Sequence, residues 1–156
     1  MEARLDVLNN KVLAKAVKYV VSADKVIVDS TLPNTIRELV KIRASQINGC
    51  AYCLDMHTKD AAAAGEDVQR LHLVAAWREA KVFTDDERAA LDLTEHATRI
   101  ADGGHVSDEV WETAAKYFDD EQLGAIAAQI AIINAFNRMN VIVAQPAGDY
   151  QVGQFG

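Results

Sequence analysis

Apolar side chains recur every three or four residues along nearly the whole chain, and only two prolines interrupt it, Pro33 and Pro146. That spacing lines one face of an α-helix, whereas a strand needs a period of two. No strand-and-turn signal recurs. The pattern therefore predicts an all-α protein. With 156 residues, half of them hydrophobic, the chain can bury one core of its own and form a single domain.

Helix punctuation divides it further. Leu5, Leu8, Val12, Ala16 and Tyr19 set an apolar stripe on a first helix over residues 5–21. Residues 22–29 are ambiguous, because KVIV reads equally as a short strand. Pro33 opens a helix to about Ile47, and Asn48-Gly49 reads as a stop and restart. A helix over Cys50 to Ala64 closes at Gly65, and another is expected over Asp67 to Ala80. Thr84 to Glu87 has the form of a capping box, for a helix reaching about Ala101. Ser107 caps the next, and Asp119-Asp120-Glu121 opens a last helix to about Ala144. Residues 1–144 thus form a helical domain. Residues 145–156 are a polar tail, expected to be loose unless docked. Trp77 and Trp111 sit at apolar helical positions and suit the core or a subunit interface.

The net charge of -7 excludes a nucleic-acid or anionic-membrane partner, since nothing would neutralise phosphates. The most apolar run, AIAAQIAII, is short and holds Gln129, so no span of a bilayer is expected. MEARLDVLNN lacks the basic and apolar regions of a secretory signal, which makes the cytoplasm the expected compartment. There, a disulfide is more often catalytic or redox-sensing than structural.

The only two cysteines lie three apart, in CAYC. On a helix they share a face, with Cα atoms roughly 5 Å apart, inside the range of a disulfide. So short a loop gains little chain-entropy stabilisation, which favours a redox role over a staple. His57 follows on the same stripe, and imidazole suits proton transfer at neutral pH. The first turn of a helix favours a thiolate, and by position alone Cys50 is the better placed of the two. A base, a thiolate and a second thiol are the parts of a peroxide-reducing centre. Glu38 could orient the imidazole if the break at Asn48-Gly49 folds its helix back.

Glu38, Cys50, Cys53 and His57 also fit the pattern E-x11-C-x2-C-x3-H. With RELVKIRASQINGCAYCLDMHTKDA, RLHLVAAWREA, FTDDERAALDLTE and AIINAFNRMNV, the chain resembles the alkylhydroperoxidase D-like branch of the carboxymuconolactone decarboxylase family, over roughly Leu5 to Val143. The resemblance implies an all-helical, AhpD-like bundle that assembles as a trimer or hexamer. It implies a thiol peroxidase acting on organic hydroperoxides or hydrogen peroxide. Cys53 would be the peroxidatic thiol that becomes the sulfenic acid, and Cys50 the resolving thiol and proton donor. His57 and Glu38 would relay protons. No bound cofactor is implied; an external dithiol, of the dihydrolipoamide type, on a partner protein or as a small molecule, would reduce the disulfide. Two features depart from the best-studied branch. Tyr52 stands where that branch has a histidine between the cysteines, and this chain is a short form with one motif.

Three other readings use the same residues. Cys50, Cys53 and His57 could bind zinc, with a fourth ligand from Glu38, His72, His96 or His105, although none has matching short-range spacing. A lactone-processing enzyme follows the family's other branch, which generally lacks the cysteine pair. A non-catalytic redox sensor would use the same switch without turnover.

Overall fold

The structure, a computed structural model, describes residues 2–155. Among them are seven α-helices and no strand: α1 Lys11–Val28, α2 Asn34–Asn48, α3 Ala51–Ala63, α4 Val68–Leu73, α5 Asp85–Thr98, α6 Asp108–Ala115 and α7 Asp120–Val143. The all-α expectation holds.

Helix α2 is the hub, packed on α3, α5 and α7. One of its sides gives Ile36 and Val40 to a cluster with Ile27, Leu93, Phe118 and Ile126. The other gives Leu39 and Ile42 to a cluster with Leu71, Trp77, Phe83 and Leu91. Burying an aliphatic side chain of this size contributes about 1.5–3 kcal/mol, so α2 anchors both halves of the core.

The break after α2 has a local cause. Gly49 adopts φ 66°, a left-handed conformation that glycine enters without Cβ strain. The Cys50 N–H then bonds back to the Ser45 carbonyl at 3.0 Å and closes α2. Cys50 becomes the N-cap of α3, not a residue of its first turn.

Three elements depart from the sequence reading. Helix α1 begins at Lys11, because Asn10 caps it by accepting from the N–H groups of Val12 and Leu13. It runs through KVIV, and Ile27 enters the core. The expected stripe has the right period and the wrong phase: Leu5, Leu8, Val12 and Tyr19 are exposed. The helix over residues 67–80 ends at Leu73 and continues only as a 3₁₀ turn, Val74–Ala76. Arg88 takes up the freed carbonyls of Trp77, Arg78 and Ala80. Of the tryptophans, Trp77 is buried and Trp111 exposed.

By length and composition α7 could cross a bilayer, which the sequence reading did not anticipate. Here it is the helix on which α1, α2, α3, α5 and α6 all pack. The tail is docked. Asp55 accepts from the N–H groups of Gly148 and Tyr150, and the buried Tyr150 donates its hydroxyl to Asp60.

Candidate functional site

The α2–α3 turn brings the motif together. Cys50 and Cys53 are joined as a disulfide, with Cα atoms 5.4 Å apart. The Cys50 Sγ caps α3 by accepting the Cys53 N–H at 3.3 Å. Cys53 lies one turn in, and its Sγ accepts from Asn140 Nδ2 on α7 at 3.4 Å.

The two sulfurs face different surroundings. Both residues are buried, but Cys53 lines a cavity of about 690 Å³. That cavity is walled by residues 6–8, α1, Lys41 of α2, α3, α7 and the tail, mostly with apolar side chains such as Val17, Met56, Ile133 and Phe136. Tyr52 and His57 line it as well. Cys50 is not among its walls. Backbone donation favours charge on Cys50, and access favours Cys53.

His57 and Glu38 meet, the condition that the sequence left open. The folded-back α2 places Glu38 Oε2 at 3.3 Å from His57 Nδ1. Glu38 Oε1 accepts from Lys41 Nζ at 3.1 Å. Burial alone would raise the Glu38 pKa, but the His57 imidazole and the Lys41 ammonium overcome it and hold the carboxyl at about 2. Glu38 is therefore a carboxylate at neutral pH, fit to orient and charge-stabilise an imidazole. It also lines a second, polar pocket of about 290 Å³ with Arg70 and Glu87.

Sequence reasoning missed Lys41, Asp24, Gln129 and Asn140. Lys41 lies 4.0 Å from Asp24 Oδ2, and Gln129 donates to Asp24 at 2.8 Å; all three line the cavity. Their only signal was polarity on otherwise apolar helix faces. For Asn140 the signal was regular: Asn134, Asn137 and Asn140 stand three apart in NAFNRMN. His72 and His105 are exposed, and neither lines the cavity. Among the described residues, no group of three or more His, Cys, Asp or Glu side chains is arranged to hold a metal ion.

A sequence profile of the carboxymuconolactone decarboxylase family matches residues 14–96, which include the whole motif. The uncharacterized protein YdfG of Bacillus subtilis (strain 168) is 37% identical over 137 residues, 88% of this chain and 92% of YdfG. The chain belongs to the carboxymuconolactone decarboxylase family. Within that family it is AhpD-like. A crystal structure from Agrobacterium tumefaciens, of a protein of unknown function described as an AhpD-type antioxidant defence protein, superposes with a TM-score of 0.87 at 34% identity, over 96% of this chain and all of that one. The debrominase Bmp8, solved as a cysteine-to-alanine variant in complex with 2,3,4-tribromopyrrole, shares the fold at 20% identity and a TM-score of 0.76, over 90% of this chain and 73% of its own. The family is named for a decarboxylase and the neighbour at 34% identity is described as an antioxidant defence protein, so membership alone does not choose the reaction.

Proposed function

We propose that this protein is a dithiol peroxidase that reduces organic hydroperoxides or hydrogen peroxide. One observation carries the reading: of a paired cysteine couple, one sulfur lines a large apolar cavity that a histidine, backed by a carboxylate, also lines.

The cycle starts from the reduced pair. The Cys53 thiolate attacks one oxygen of the hydroperoxide, and the O–O bond breaks. The departing alkoxide or hydroxide takes a proton delivered through His57 and leaves as alcohol or water. The Cys53 sulfenic acid then condenses with the Cys50 thiol; an S–S bond forms and water departs. A dithiol restores both thiols and is itself oxidised to a disulfide. Glu38 keeps His57 oriented through the 3.3 Å contact with Nδ1. The site needs no bound cofactor for these steps. The dithiol is of the dihydrolipoamide type, small or protein-borne. A reducing compartment, the cytoplasm, would supply it. A homo-oligomer, trimer or hexamer, belongs to the same proposal, and the apolar side chains that α1 leaves exposed support it.

The test is to count free thiols and weigh the intact, metal-free, reduced protein before and after one equivalent of an organic hydroperoxide. Loss of both thiols with a mass decrease of two hydrogens is the expected result. In Cys50→Ser, a dimedone adduct should form on Cys53. Thiols that survive the peroxide would sink the proposal and move attention to lactone chemistry.

A further inference from the structure

We propose that Asn140 is a further catalytic residue, whose side-chain amide donates to the Cys53 sulfur and stabilises it as a thiolate. The proposal rests on the dithiol reading above.

The contact is long-range. Asn140 is on α7 and Cys53 on α3, and Nδ2 stands 3.4 Å from Sγ. Both residues line the cavity, so the donor lies on the side from which substrate approaches. The disulfide thus has one donor per sulfur. Cys50 has the backbone N–H of Cys53, and Cys53 has Asn140. When the bond opens, each thiolate retains its own donor.

Asn140 is also held in register. One and two turns earlier on α7, Asn137 and Asn134 both accept from Asn48 Nδ2, each at 2.9 Å. Asn137 donates onward to Ser45 Oγ at 3.0 Å, and Asn134 to Thr98 Oγ1 at 3.2 Å. The bonds with Asn48 and Ser45 pin α7 to the end of α2, just ahead of the Gly49–Cys50 turn, and the bond to Thr98 ties it to α5. The next asparagine at the same spacing then falls on Cys53. Asn134 and Asn137 are positioning residues, and Asn140 touches the reacting atom.

A neutral donor suits this place. It binds a thiolate more strongly than a thiol, so it favours ionisation. It brings no counter-charge into the apolar cavity. It can follow the sulfur from thiolate to sulfenate to disulfide without changing its own protonation.

The experiment isolates Cys53 in a Cys50→Ser background. Serine is a strong N-cap, so the start of α3 is kept. Asn140→Ala and Asn140→Asp are added to that background. The Cys53 thiolate is titrated by its ultraviolet absorbance and by the pH dependence of iodoacetamide alkylation. Neither readout needs peroxide, so this proposal can stand or fall apart from the peroxidase. A lost hydrogen bond to a charged group corresponds to about one pKa unit. Asn140→Ala should therefore raise the Cys53 pKa by about one unit and slow alkylation at neutral pH by up to about tenfold. Asn140→Asp, of equal size but with a carboxylate in place of the amide, should raise it further. If the alanine variant does not fold, Asn140→Leu, of similar size and without a donor, should show the same rise of about one unit. A Cys53 pKa that stays put in the folded variants, whatever their melting temperature, would make Asn140 structural and overturn the proposal.

Discussion

Glu38 combines burial with two charged partners. It is largely buried, it faces His57 at 3.3 Å, and it accepts from Lys41 at 3.1 Å. The net effect lowers its pKa from 4.5 to about 2. A carboxyl whose pKa is depressed on folding stabilises the native state above its unfolded pKa. That contribution disappears as pH falls through the folded value. The window here runs from about 4.5 down to about 2. At about 1.4 kcal/mol per unit, the contribution at neutral pH is on the order of 3 kcal/mol. Glu38→Gln should therefore be destabilised most above pH 4.5, where it also leaves Lys41 short of a partner, and the gap from the parent should close toward pH 2. Denaturant melts of the disulfide-intact protein across that range check this. A gap independent of pH would mean that the carboxylate is not the stabilised species.

At the scale of elements, the α2–α3 turn decides whether the motif assembles. An ideal Cβ built on Gly49 meets nothing within 4 Å. The cost of a side chain there is purely conformational. Gly49→Ala should lose about 1–2 kcal/mol, the penalty of an L-residue in the left-handed region, read from urea midpoints. Gly49→Asn should lose less, because asparagine tolerates that region. A neutral alanine variant would mean that the turn rearranges.

This turn was legible in the sequence because its causes are local: a glycine stop, a cap and a fixed spacing. The Thr84 capping box was legible for the same reason. What could not be read has distant causes. Arg88 reaches back to three carbonyls and stops α4 from continuing through Trp77. The phase of α1 depends on which face meets α7, and periodicity alone does not fix phase. The Asn10 cap was visible in principle, yet the apolar residues before it drew the helix start too early. At the site, the motif named the four residues that the turn brings together, and only the fold shows which sulfur lines the cavity.

At the scale of the molecule, the tail closes the site. Pro146, Asp149, Tyr150, Gln154 and Phe155 line the same cavity as Cys53. Gly148 and Tyr150 tie the tail to α3, the helix that Cys50 caps and that carries Cys53. Tyr150 holds the strap at two points, its N–H on Asp55 and its hydroxyl on Asp60. Burial, then the Asp60 carboxylate, push its phenol up to about 12, so the hydroxyl remains a donor at neutral pH. If the dithiol proposal holds, a small dithiol would use the cavity, while a folded protein would first have to displace the strap. Each 1.4 kcal/mol of opening cost slows such a reagent by about tenfold. Removing residues 146–156 should therefore speed reduction of the Cys50–Cys53 bond by a thioredoxin-like protein by about tenfold or more, and change the rate with dithiothreitol much less. Tyr150→Phe, which keeps the ring and loses the Asp60 bond, should fall between. Equal acceleration with both reductants would show that the tail governs the stability of the disulfide itself. No acceleration with either would show that the strap does not guard Cys53.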